Sequence, residues 1–324
     1  MLTIPLTGPW LFRKLPGAVL DNLPGAIPDG TAETVTLPHT WYSDEDQYRG
    51  LALYETVVPR NPAWQEALLS FDGADQNCRV FVNGLEAGGH AGAYARFRLQ
   101  VPEAAMRADS LEIRVFLENR QNEDLSPCFG DFTVFGGLYR GAELLVTGRS
   151  RFDRCFYGTD GLIVRTETDA AGNGVLTAEP HTVCSAGNAK ILYRLADEEG
   201  RVLQTVEGRP DETVSFAVKS ARLWDGPGNA HFYFITAALE ADGKAEDEVT
   251  IRTGFRRVEI SGEGGLALNG RPHMLRGVAK HQDRAGKFSA VSDEDIREDF
   301  SGMKDVYDYL AKKREENEKN SKKR

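Results

Sequence analysis

Cysteine is scarce: Cys78, Cys128, Cys155 and Cys184 stand far apart in 324 residues, with no CxxC pair and no histidine at metal-ligand spacing. A disulfide-stapled scaffold and a zinc module are excluded, and the four residues read as free thiols. No apolar window is long enough to cross a bilayer. The opening Met1-Leu-Thr-Ile-Pro-Leu-Thr-Gly-Pro-Trp10 also lacks a basic n-region and a small-residue cleavage site. A soluble, cytoplasmic protein with no membrane partner is the expectation. Positive charge is short too: 39 Lys and Arg against 49 Asp and Glu leave a net charge of −10. Clustered phosphate contacts, and with them a nucleic-acid partner, are not expected.

The length allows two or three cores. From about Val35 to Val146 short alternating runs are separated by turn signals, the pattern of an antiparallel two-sheet domain. Leu111, Ile113, Val115 and Leu117 make one apolar face; Glu112, Arg114 and Glu118 point to solvent, with Phe116 a minority hydrophobe on that side. Cys78-Arg-Val-Phe-Val-Asn83 alternates likewise and runs into Asn83-Gly84, which suits the positive φ angles of a type I′ hairpin turn. A jelly-roll β-sandwich fits this segment. A second set of strands starts near Phe152. It continues through Ile191-Leu-Tyr-Arg-Leu195, Val214-Ser-Phe-Ala-Val218 and Phe232-Tyr-Phe-Ile-Thr236 to Gly254, at the spacing of a small immunoglobulin-like sandwich.

After the turn signal Asn269-Gly270 comes a short apolar strand candidate, Met274-Leu-Arg-Gly-Val278. Ser292-x-x-Asp295 then reads as a capping box ahead of Ile296, Phe300, Met303, Tyr307 and Leu310 at helical spacing, so one amphipathic helix is expected. Beyond Leu310 no apolar residue is larger than alanine, and a frayed helix end or disorder is expected.

Several blocks stand in order between about Trp10 and Met303. They begin with Val35-Thr-Leu-Pro-His-Thr-Trp41, Tyr48-Arg-Gly50 and Tyr54. Phe71-Asp-Gly-Ala-Asp-Gln76 follows, with Val80-Phe-Val-Asn-Gly84, Gly88, His90, Gly92, Tyr94 and Phe97. Asp131-Phe-Thr-Val-Phe-Gly-Gly-Leu-Tyr-Arg140 comes next, then Leu223-Trp-Asp-Gly226 with Gly254-Phe-Arg256. Leu268-Asn-Gly-Arg-Pro272, Arg276-Gly-Val278 and His281-Gln-Asp283 complete the series. Together these blocks resemble family 2 of the glycoside hydrolases, the β-galactosidase/β-glucuronidase type.

The resemblance implies a mainly β chain: a jelly-roll, galactose-binding-like domain over residues 1–148 and an immunoglobulin-like sandwich over 149–254. The first strand and helix of an incomplete (β/α)8 barrel follow over 255–310, and a charged tail over 311–324. It places Asp131 where family members reach from the jelly roll to accept hydrogen bonds from sugar hydroxyls, a task suited to an acceptor-only carboxylate. His281 falls on the sugar pocket just past the first barrel strand, with Arg276 and Asp283 near enough to orient it or to form a plain surface pair. Ordinary structural roles account for most other motif residues: Asn83-Gly84 and Gly136-Gly137 as turns or close-packing sites, Trp41, Tyr54, Tyr94 and Trp224 as core, His39 and His90 as buried or turn-bonded.

Retaining hydrolysis needs two carboxyl groups about 5–5.5 Å apart, and in the family both are glutamates on later barrel strands, the acid/base preceded by asparagine. The two Asn-Glu pairs here, Asn122-Glu123 and Asn317-Glu318, lie in a polar loop and in the charged tail, so no catalytic residue is assigned. A full barrel takes about 250 residues. The chain therefore reads as the N-terminal fragment of a β-galactosidase-like exo-glycosidase, inactive by itself, whose partners are a β-linked sugar and a complementing barrel chain or a second copy. The resemblance calls for no cofactor, although a metal ion in the complete family site stays open. A non-catalytic carbohydrate- or protein-binding module and a functionless remnant are the alternatives. Apolar surface beyond about residue 260 is expected to drive association or local disorder.

Overall fold

The computed structural model describes residues 1–25, 27, 32–125, 133–185, 187–226, 228–262, 265–275 and 277–321. Its described part is mainly β, with several antiparallel sheets and one long α-helix.

The first 147 residues build two facing sheets. The larger has six strands, in the order Glu33–Val35, Trp10–Leu15, Leu51–Pro59, Ser110–Glu118, Asn77–Val82 and Leu85–Ala91. The smaller has four, in the order Leu2–Pro5, Ala142–Thr147, Glu66–Phe71 and Phe97–Gln100. Period-2 alternation sends Leu111, Ile113, Val115 and Leu117 into one core with Trp10, Tyr54, Leu69, Phe71 and Val80. Each such fully buried side chain contributes roughly 1.5–3 kcal/mol of transfer free energy. Asn83 and Gly84 turn the Asn77–Val82 strand into its neighbour with φ of 49° and 77°, the two positive values that a type I′ turn requires.

Phe116, expected to face solvent, is instead buried with Leu15, Leu20, Leu51 and Leu53 in a second cluster on the outer face of the large sheet. The chain after Leu15 folds back over that face, so both sides of the sheet are covered locally and strict alternation stops being a guide.

The second sandwich packs a three-stranded sheet (Leu162–Thr168, Gly174–Pro180, Val214–Val218) on a four-stranded one (Val202–Gly208, Lys190–Asp197, Tyr233–Ala241, Lys244–Thr253). Its core contains Tyr193, Phe216, Ile235 and Phe255. Arg154 and Asp247, both buried, form a two-point ion pair of 2.5 and 3.1 Å, and the same carboxylate accepts the Phe152 N–H at 2.9 Å. Arg98, from the first sandwich, donates to the Arg154, Gly158 and Thr159 carbonyls, and Arg151 pairs with Glu66 at 2.5 Å and with Gln100 at 2.8 Å. Polar contacts thus clamp the two sandwiches together.

Beyond the second sandwich a small three-stranded sheet (Val258–Ser261, Gly265–Leu268, Arg271–Pro272) turns at Asn269 and Gly270. The 274–278 run, expected as a strand, makes no ladder among the described residues, and Met274, Leu275 and Val278 are exposed. A barrel strand is held from both sides, and no described strand lies beside this one to accept its backbone groups. The helix Asp293–Ser321 starts on the expected box: the Ser292 hydroxyl accepts the Asp295 N–H at 3.2 Å, and the Asp295 carboxylate accepts the Ser292 N–H at 2.9 Å. Past Leu310 the backbone stays helical to Ser321, farther than a frayed end. Strong helix formers in that stretch of sequence favour the helical backbone.

Truncating Asp247 to alanine strands the buried Arg154 charge. The expected loss is about 3–5 kcal/mol in urea unfolding; a loss below about 1 kcal/mol would show that water reaches this pair.

Candidate functional site

Two polar backbone strips meet at the rim of the first sandwich. Asp75 bridges Gly137, donating to its carbonyl at 3.1 Å and accepting its N–H at 3.4 Å, while Leu138 accepts the His39 N–H at 2.9 Å. Gly137 fits between them because it has no side chain: a Cβ there would lie 2.3 Å from the His39 carbonyl oxygen, at a φ of 138°. One Asp75 carboxylate oxygen, Oδ2, accepts the Gly136 N–H at 3.2 Å. The other, Oδ1, is buried with no hydrogen-bond partner among the described residues.

Residues 279–289 lie against this rim. Arg140 donates to the Asp72 and Tyr94 carbonyls at 3.2 and 2.8 Å, and to Gln282 Oε1 at 2.8 Å. Phe288 packs edge-on to Tyr42 at 5.0 Å between ring centres. Lys280 caps the His281 and Asp283 carbonyls at 2.9 and 3.1 Å and pairs with Asp299 of the helix at 3.1 Å. Arg284 and Lys287 converge on Asp295 at 2.9 and 2.8 Å, and Lys287, with the Ser292 hydrogen bonds, holds its carboxyl well below the usual range. The loop is thereby fixed to both the sandwich and the helix start.

Between loop and rim lies a cavity of about 530 Å³, lined by Asp75, Tyr94, Tyr139, His281, Asp283 and Ser289 among others. A second cavity of about 580 Å³ on the other side of the loop shares Tyr139, His281 and Ser289. Ser289 is 5% exposed, and its buried hydroxyl also lacks a partner among the described residues. Each costs the fold about 1–3 kcal/mol unless a ligand or water completes it.

Of the residues expected at a sugar site, His281 and Asp283 come to this cavity on exposed backbone. Among the described residues no hydrogen bond joins the Asp283 carboxylate to the His281 ring. Asp131 and Arg276 lie outside the described residues. Trp41 and Tyr54 are core, whereas Tyr94 is exposed and borders the cavity. Trp224 sits under the Arg256 guanidinium, 5.3 Å from the ring centre. His90 stacks on Phe97 at 4.3 Å, and burial lowers its pKa. His39 Nδ1 lies 2.7 Å from the Tyr54 hydroxyl. Burial, aided by Lys14, lowers the imidazole to about 4, and burial raises the phenol, so both are neutral near pH 7 and the pair is structural.

Asp75 and Ser289 were not singled out from the sequence. The available signal for Asp75 was an acid next to Ala74 and Gln76 at the entry to an apolar alternating strand, which a turn residue explains equally well. Burial pushes the Asp75 carboxyl up to about 6, partly offset by the Gly136 N–H and by Arg49. An acid raised in the fold stabilises it below the unfolded pKa and loses that contribution as pH rises through the folded value. Relative to the wild type, Asp75→Asn is therefore expected to gain about 3 kcal/mol of stability between pH 4 and pH 8. Parallel stability–pH curves would contradict this.

Residues 161–256 match the model of the glycosyl hydrolases family 2. The chain is 28% identical to a beta-glucuronidase of Bacteroides fragilis over 294 residues, covering 86% of this chain and 42% of that protein. It is 26% identical to a beta-galactosidase of Thermoanaerobacter pseudethanolicus, covering 91% of this chain and 41% of that one. Among solved structures, a putative beta-galactosidase of Bacteroides fragilis superposes with a TM-score of 0.84 at 28% identity, over 94% of this chain and 48% of its own. An FMN-binding beta-glucuronidase of Facaelibacterium prausnitzii gives 0.82 at 27% identity, over 94% and 47%. The chain spans about two fifths of the length of these curated relatives.

Proposed function

The chain is a homologue of the family 2 glycosyl hydrolases, and from that premise we propose that it forms the N-terminal part of a retaining exo-glycosidase acting on terminal β-galactosides in the cytoplasm. The cavity that joins Asp75, Ser289 and His281 carries this proposal: hydroxyl-binding groups converge there on a fixed loop at the rim of a β-sandwich. Aromatic Tyr94 and Tyr139 beside polar acceptors suit a sugar's mixed surface. In this reading Asp131 is a second acceptor, Arg276 and Asp283 either orient His281 or form a surface pair beside it, and no residue of this chain serves as acid or nucleophile. The jelly roll spans residues 1–148, the immunoglobulin-like sandwich 149–254 and the first part of the barrel 255–310.

The two glutamates come from residues equivalent to the unmatched part of the relatives, on this polypeptide or on another. Surface supports such a partner. Ile260 is 82% exposed and Leu275 77%, with Met274, Val278, Phe300 and Val306 exposed nearby in sequence, a set more apolar than water-facing segments tolerate. The remaining strands and helices of a (β/α)8 barrel are the covering surface.

Purified chain is expected to release no nitrophenol from aryl β-galactosides or β-glucuronides, and to gain turnover when a barrel polypeptide is co-expressed. Turnover by the chain alone that disappears in Asp131→Ala would place the catalytic carboxylates within these 324 residues and overturn the division of labour.

A further inference from the structure

The helix Asp293–Ser321 combines an open apolar stripe with a charge that reverses along its length. We propose that, in the chain without a barrel polypeptide, this helix pairs antiparallel with the same helix of a second copy through the stripe that begins at Ile296 and Phe300. The second copy then holds a face for which the barrel surface proposed above competes.

Helical geometry, about 100° per residue, sorts the side chains of the first turns. Asp295, Glu298 and Asp299 pair with Arg284, Lys287 and Lys280 of the loop beside the helix. Ile296, Phe300 and Met303 lie roughly a quarter turn away from that side, and Tyr307 and Leu310 follow them in the sequence. Steps of four, three, four and three residues make a heptad seam, the spacing that keeps one stripe against a partner helix. Ile296 is 40% exposed, Phe300 57%, and Met303 is partly exposed, so the described chain does not cover the stripe. Ile296 and Phe300 also edge the 580 Å³ cavity beside Pro38 and Tyr139, an unfilled groove on that side of the helix.

Charge selects the occupant. Residues 293–308 hold seven acids and two bases, a net of −5, whereas residues 309–324 hold seven bases and three acids, a net of +4. Parallel copies would set like charge on like, while antiparallel copies set each acidic half against a basic half. Opposed helix macrodipoles favour the same orientation. With the stripe centred on Met303, Asp293 and Glu294 come opposite Lys313 and Lys312 of the second copy, and all four positions are exposed.

Sedimentation velocity on the full chain from about 1 to about 200 μM tests this. A monomer–dimer equilibrium is expected, and it should weaken as NaCl rises from about 50 to about 500 mM, because the helix halves attract by charge. Phe300→Asp removes an apolar side chain from both copies at an exposed site. It should raise the dissociation constant about a hundredfold or more while the thermal midpoint of the monomer stays within about 2 °C of wild type. Lys312→Glu together with Lys313→Glu should raise it about tenfold at low salt and far less at high salt. Orientation is read by disulfide formation after Cys128 and the exposed Cys155 and Cys184 are changed to serine. Met303→Cys should then link two copies to each other, and Ile296→Cys should not. A monomer at every concentration, a dimer untouched by Phe300→Asp, a dimer that strengthens with salt, or cross-linking through Ile296→Cys overturns the proposal. None of these readouts depends on sugar binding or turnover, so the pairing and the glycosidase assignment fail separately.

Discussion

Gly137 runs between Asp75 and His39 at a separation that no side chain could share, with space for a Cβ denied by the His39 carbonyl 2.3 Å away. From that approach the rest of the rim follows. The bridge to Asp75 sets the backbone of residues 136–138, the Gly136 N–H fixes the Asp75 carboxylate, and Tyr139 and Arg140 are delivered to the cavity side. Arg140 then reaches Gln282 and seats the loop that bears His281. A glycine pair in the middle of the chain thus governs where a histidine about 140 residues later stands.

That arrangement works against stability. Asp75 and Ser289 each bury a polar atom without a partner, and burial holds the Asp75 carboxyl up near 6. Elsewhere the same chain satisfies its buried charges closely, as at Arg154 and Asp247, where both carboxylate oxygens are used. The two carboxylates thus differ in that only Asp247 has partners for both oxygens among the described residues.

Much of the β architecture was legible in the sequence because alternation is a local signal. Leu111 through Leu117, the Asn83-Gly84 turn and Val214 through Val218 all lie where period and turn chemistry put them. The signal failed where covering or pairing comes from distant chain. Phe116 is buried by a segment about 100 residues earlier, and the 274–278 run lacks neighbours to make it a strand. Site residues were harder. His281 was found through a motif, while Asp75 belongs to no chemical pattern and becomes visible only when Gly136 and Ser289 arrive beside it. Of the other expected contacts, Asp131 and Arg276 lie outside the described residues.

The most direct test of the central claim is a crystal structure of the full chain soaked in methyl β-D-galactoside. The account predicts sugar density in the 530 Å³ cavity, with the ring against Tyr94 or His281. An empty cavity, or sugar bound only elsewhere on the sandwiches, would contradict it.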